Sequence, residues 1–242
     1  MSRQYPLLRV LVCALLLCGY SAIGVGADKE NGARGALIGK DGAPMVLVPT
    51  GEFLYGNEKR RLSLPAFYMD KFEVTTKRYA VFMEATKRAA PDRWSEVNQM
   101  RDGDRPVIGV NWYEADAYCR YFGKRLPTVQ EWDKAARGAD GRKYPWGNEE
   151  PTSQHANFGK CCDWKGYTSL VPAESYEAGK SPYGIYNMFG NVSEWTSSDG
   201  ANGSKVLRGG SWLDFVAGLM WDEAAPRLRF ITHGFRCAQD AR

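Results

Sequence analysis

Gly184-Ile185-Tyr186-Asn187-Met188-Phe189-Gly190-Asn191-Val192-Ser193-Glu194-Trp195 decides how this chain is read. Glycine, asparagine and serine break it into short apolar pieces, which favours turns over long regular elements. The same pattern runs from Gly138 to the C-terminus, through Pro145-Trp146-Gly147-Asn148 and Glu194-Trp195-Thr196. A half built this way is loop-dominated and buries little area through helices or strands. Its stability is expected to come from buried Trp and Tyr, from cross-links and from bound ions.

Upstream of Gly138 the signals are more regular. Met45-Val46-Leu47-Val48 and Glu52-Phe53-Leu54-Tyr55-Gly56, split by Pro49-Thr50-Gly51, predict a hairpin. Tyr79, Phe82, Met83 and Thr86 fall on one face of a helix predicted over 75–87. A second helix is predicted from Asn111, with Glu114 as its capping-box partner and Trp112, Ala115, Cys119 and Phe122 stacked before Gly123. A third starts at Thr128 with Glu131 in the same relation, buries Val129 and Trp132, and closes at Gly138. Trp112, Trp132 and Trp146 are expected in the core. The fold class is therefore α+β, in one domain over 44–242 that follows a flexible lead-in, 28–43, rich in Gly, Lys and Asp.

The composition agrees with one globular domain: of 242 residues 44% are hydrophobic and 25% charged, which excludes a disordered or collagen-like chain. Residues 1–27 carry Arg3 and Arg9 ahead of an apolar run and end in Val25-Gly26-Ala27, the pattern of a signal peptide. The protein is thus expected to be exported, to the periplasm or outside the cell, with membrane contact only where the leader stays uncleaved. The formal charge is +4 with no long basic run, so nucleic acid is not an expected partner. Only two histidines are present, His155 and His233, which excludes a three-histidine metal site. Beyond the leader the cysteines are Cys119, Cys161, Cys162 and Cys237, candidates for disulfides in an oxidising compartment.

Ordered motifs extend outward from the opening stretch. They are Met45-Val46-Leu47-Val48-Pro49-Thr50-Gly51-Glu52-Phe53, Glu73-Val74-Thr75, Val110-Asn111-Trp112, Gly123-Lys124-Arg125-Leu126-Pro127-Thr128, Tyr144-Pro145-Trp146-Gly147-Asn148, Arg208-Gly209-Gly210-Ser211-Trp212 and Gly234-Phe235-Arg236-Cys237-Ala238. Together they closely resemble the formylglycine-generating enzyme family, also called sulfatase-modifying factors, over about 45–238. The resemblance implies a loop-rich C-type lectin-like fold.

It does not carry the family's chemistry with it. Formylglycine generators oxidise a sulfatase cysteine with copper held by two cysteines, whose positions are matched here by Asp214 and Leu219. Soft thiolates select Cu(I), and neither a carboxylate nor leucine replaces them. Ser193, Phe215 and Thr232 likewise stand where catalytic members show Trp, Arg and Asn. A copper-dependent formylglycine generator is therefore not expected. The related sulfoxide synthases bind iron through histidines of an added domain; an iron site here would need His155, His233 and Asp214 together, and none is assigned.

Calcium is the cofactor the resemblance implies, in a structural role. One family site matches Asn187 and Glu194 by side chain with Gly190 and Val192 by carbonyl; a second matches Asn157 and Asp163 by side chain with Phe158 and Lys165 by carbonyl. Hard oxygen donors in irregular loops suit this ion. The resemblance also implies a Cys119–Cys237 disulfide, while the adjacent Cys161 and Cys162 stay open between a strained bridge, free thiols and a metal site. Three functions remain: a binding or accessory module for an exported protein or small-molecule partner, a domain in an exported assembly, and a divergent oxidoreductase similar to pyoverdine-maturation proteins. The candidate pocket for any of them is Ser211, Asp214, Thr232 and His233, within segment 214–233, with Trp212 and Trp221 beside it.

Overall fold

The computed structural model describes residues 36–160, 164–215 and 221–241. In chain order the elements are β1 (Ala36–Ile38), β2 (Pro44–Val48), β3 (Gly51–Tyr55), β4 (Arg60–Leu64), β5 (Phe67–Asp70), α1 (Thr76–Thr86), α2 (Gln99–Asp102), α3 (Trp112–Tyr121) and α4 (Val129–Arg137), followed by β6 (Ser193–Asp199), β7 (Lys205–Arg208), β8 (Trp221–Ala224), β9 (His233–Gly234) and β10 (Ala238–Asp240). Among the described residues between α4 and β6, some fifty, there is a single short 3-10 turn, at Glu177–Gly179. The loop-dominated half therefore forms as the sequence predicts. No helix among the described residues is long and apolar enough to cross a membrane.

The three predicted helices start at their capping residues. The Thr75 hydroxyl accepts from the Arg78 N–H. Asn111 with Glu114, and Thr128 with Glu131, close reciprocal capping boxes on α3 and α4. Each box satisfies donors that the first helical turn leaves without partners. Lys87, in the left-handed region, ends α1, and Gly138 at φ +69° ends α4.

The predicted hairpin does not form. β2 pairs instead with β1 and β5, and β3 pairs with β4 in a separate two-stranded sheet. Pro49-Thr50-Gly51 carries the chain from one sheet to the other, with Gly51 at φ +131°. The fold also begins ahead of Pro44, since Ala36, Leu37 and Ile38 lie in register with Val46, Met45 and Pro44. A buried ion pair explains why the polar 39–43 turn is fixed and not a flexible lead-in. The Lys124 ammonium bridges Asp41 at 2.6 Å and Asp70 at 2.8 Å with all three side chains out of solvent, and Tyr118 Oη donates to Asp41 at 2.9 Å.

β10 adds to β5, so the two ends of the domain share the four-stranded sheet β1-β2-β5-β10. The Cys119–Cys237 disulfide is present, with Cα atoms 5.6 Å apart, and ties α3 to the approach to β10 across 118 residues. Closing a loop of that length contributes about 4–5 kcal/mol in the chain-entropy account. Around it Tyr79, Phe82, Tyr118 and Phe235 interlock, with Tyr79 stacked on Tyr118 at 5.8 Å. Trp132 is fully buried in a second cluster with Met69, Ile185 and Met188. Trp112 and Trp146 are half-buried and pack against the core from its margin, with the Trp112 indole N–H donating to the Thr196 carbonyl of β6 and that of Trp146 to the Glu149 carbonyl of an exposed loop.

Candidate functional site

The second four-stranded sheet, β8-β7-β6-β9, carries the candidate pocket at one end. β7 finishes at Arg208, and Gly209 and Gly210 follow with φ +95° and +69°. A Cβ on Gly209 would lie 3.2 Å from the Trp132 ring, so this turn needs glycine for both its backbone angle and its contact. The turn delivers Ser211, whose N–H and hydroxyl both donate to Asp214 Oδ2 at 2.7 Å. Asp214 thus closes a tight turn on Ser211, and its carbonyl accepts from Gly159 N–H.

β9 brings the other half of the pocket by running parallel to β6, with His233 opposite Ser193. The Thr232 carbonyl accepts from Ser193 N–H. His233 is buried with its ring 5.2 Å from Trp195 and 4.8 Å from Phe230, and Nδ1 has no hydrogen-bond partner among the described residues. Burial pushes the imidazole pKa down to about 4 against the opposing charges of Asp222 and Asp214, so His233 is neutral at pH 7. Trp212 is buried, whereas Phe215, Trp221, Leu228 and Phe230 are 67%, 50%, 44% and 45% exposed. Leu219 lies outside the described residues, as do Cys161, Cys162, Asp163 and the proposed leader.

A second polar centre sits under the opening stretch of sequence. Glu194 and Arg236, both buried, form a two-pronged ion pair at 2.6 and 2.7 Å, and Trp132 Nε1 donates to the same carboxylate at 2.8 Å. Asn187 and Asn191 donate through Nδ2 to Glu73 at 3.0–3.1 Å. Asn191 Oδ1 accepts from Val171 N–H and from Asn157 Nδ2, which joins this centre to the 157–171 loop. Arg236 thus pairs with Glu194 alone, while Glu73 is held by the two amides and feels the arginine only through its charge. Burial, with the charge of Glu194 added, pushes the Glu73 carboxyl up to about 8.

The oxygen donors of the two implied sets fit a hard cation only in part. Asn187 Oδ1 and Asn157 Oδ1 are buried and lack hydrogen-bond partners among the described residues, one in each calcium set that the sequence implies. A buried amide oxygen left unpaired costs free energy that a cation would offset. In the first set Asn187 would hold the ion with the Gly190 and Val192 carbonyls, while Glu194 is already engaged by Arg236. Glu73 is the acidic group the sequence reading missed as a candidate. Its motif was visible, but only folding brings it to Asn187, 114 positions away. In the second set Asn157 is buried, Phe158 half-buried and Lys165 exposed.

The structure brings Ser211, Asp214, Thr232 and His233 onto adjoining turns and strands. It does not join them to His155, which stacks on Trp146 at 4.5 Å and whose Nδ1 faces Thr152. Among the described residues no three His, Cys, Asp or Glu side chains gather as a metal centre.

Residues 37–241 match the sulfatase-modifying factor enzyme 1-like domain. The mouse protein named inactive C-alpha-formylglycine-generating enzyme 2 is 38% identical over 157 residues, 56% of this chain and 49% of its own length. The chain thus spans about half the length of that relative. Of solved structures, CarF superposes with a TM-score of 0.69 at 21% identity, covering 83% of this chain and 99% of CarF. PvdO of Pseudomonas aeruginosa gives 0.66 at 20% identity, covering 84% and 96%. At these identities the structural likeness speaks for the fold alone. With its α+β, loop-rich C-type lectin-like architecture and its family motifs in order, the chain belongs to the sulfatase-modifying factor enzyme 1-like, or formylglycine-generating enzyme, family.

Proposed function

We propose that this family member is exported, has given up copper-dependent cysteine oxidation, and serves as a binding or accessory module for an exported protein partner or assembly. The observation that carries the reading is Asp214. It stands where the chemistry needs a thiolate, and its carboxylate is spent on the N–H and hydroxyl of Ser211. The mouse relative's name describes that protein as inactive, and we extend that property to this chain. Around the altered pocket, Phe215, Trp221, Leu228 and Phe230 offer apolar surface of the kind that interfaces favour.

The test is site-specific photocrosslinking in the native cell, with a photoreactive residue at position 221 and a control at Arg88. A single partner adduct that forms only from position 221 and is lost in Asp222→Ala supports the reading. Identical products from both positions would sink it.

A divergent periplasmic oxidoreductase is the second reading, favoured by His233, whose neutral imidazole beside Trp195 has no partner for Nδ1 among the described residues. It expects oxygen uptake that His233→Gln abolishes without unfolding the protein, and no uptake by the unmodified protein would end it.

A further inference from the structure

A cavity of about 550 Å³ opens on a part of the domain that shares no lining residue with the candidate pocket. Four segments wall it: the β1–β2 turn at Lys40–Gly42, the first half of α1, the loop carrying Asp104 and the loop carrying Pro172–Glu174. Phe72 forms an apolar wall. Its ring is held 5.1 Å from Tyr186, and the Lys71 ammonium lies over both rings at 5.4 and 5.5 Å. Ala173 and Phe122 complete the apolar surface. The volume and this mixture of apolar wall with a few charged groups are those of a small-molecule site.

The charges are distributed in a particular way. Asp41 is already engaged by the Lys124 ammonium and the Tyr118 hydroxyl. Lys40, Lys77 and Arg78 make no ion pair among the described residues, and neither do Asp104 and Glu174. The cations come from the β1–β2 turn and α1. The carboxylates come from two loops joined by the Ala173 N–H to Asp104 carbonyl bond at 2.8 Å. Lys77 N–H also bonds the Gly103 carbonyl at 3.0 Å, yet its ammonium leaves Asp104 unpaired. The α1 terminus itself offers no free donors, because the N–H groups of Thr76, Lys77, Arg78 and Tyr79 are bonded to Arg105, Gly103 and Thr75. The recognition groups are therefore side chains of both signs flanking an aromatic wall.

We infer that this cavity binds a short zwitterionic peptide or amino-acid-like molecule. Its carboxylate would meet Lys40, Lys77 and Arg78, its ammonium Asp104 and Glu174, and its apolar middle the face of Phe72. A simple anion would leave the carboxylates unused, and a simple cation would leave three positive groups unused. Charge-assisted bonds at both ends select for length as well as charge.

Calorimetric titration with the tripeptide Gly-Phe-Gly tests this, using the free-ended, C-amidated and N-acetylated forms. The free form should bind saturably, and each blocked form at least tenfold more weakly. Lys77→Gln with Arg78→Gln should weaken the free form tenfold and leave the amidated form unchanged. Asp104→Asn with Glu174→Gln should do the same for the free and acetylated forms. These side chains lie outside the core, and unchanged melting curves confirm that the variants fold. Absence of saturable binding, equal affinity for the three peptides, or inorganic phosphate binding as tightly as the free peptide would each overturn the inference.

Discussion

His233 illustrates what burial does to a single residue. Its folded pKa, about 4, lies below the unfolded value of about 6.5. Between those values the unfolded chain takes up a proton that the folded chain refuses, so stability is lost as pH falls from about 6.5 to 4 and is flat above that window. The whole effect is about 3 kcal/mol. Denaturant titrations across pH 4–7 should show that slope, and His233→Phe, apolar between Trp195 and Phe230, should flatten most of it. An unchanged slope would place the titration elsewhere. Lys124 is a second such residue. Truncation to Ala leaves Asp41 and Asp70 buried without their cation, a loss of about 3–5 kcal/mol in urea unfolding; a loss below 1 kcal/mol would mean that the ion pair does not fix the 39–43 turn. Neither property is legible in sequence, where Lys124 is one basic residue in a family motif and His233 one of two histidines. Glu73 escaped for the same reason, since its meaning comes from partners more than a hundred positions away.

Elements whose cause is local were legible. Asn111 with Glu114 and Thr128 with Glu131 predict α3 and α4 because the capping box is written within four residues. Which neighbour a strand pairs with is not written locally. Met45–Val48 and Glu52–Gly56 are apolar, adjacent and separated by turn residues, yet they do not pair with each other: β2 lies between β1 and β5, and β3 turns back on the next strand, β4. Ala36–Ile38 had too little composition to stand out, and β2 makes it a strand by offering a free edge. The Cys119–Cys237 bridge is the strongest long-range tie among these elements. Replacing both cysteines by alanine should cost about 4–5 kcal/mol in the same unfolding assay, with α3 and β10 losing hydrogen-exchange protection first. Uniform loss of protection would assign the bridge a smaller part.

For the whole molecule, the loop-dominated half is held by amide side chains and by Trp and Tyr, and we propose that one calcium ion at Asn187 adds to them. Chelation should lower the melting temperature, and restored calcium at about a hundredfold over its dissociation constant should return about 2.7 kcal/mol. Asn187→Ala should remove most of that sensitivity, because it deletes the orphaned buried oxygen without breaking the Glu194–Arg236 pair. A melting curve indifferent to chelation would argue against a structural ion. The architecture was legible because the family's motifs are many and ordered. The function was less so, because segment 214–233 departs from the catalytic pattern where its flanks keep to it. The most direct test of the central claim is mass spectrometry of a cysteine-containing sulfatase-type peptide incubated with the protein, Cu(I) and oxygen. The cysteine should stay unmodified, whereas conversion to formylglycine would contradict the loss of that chemistry.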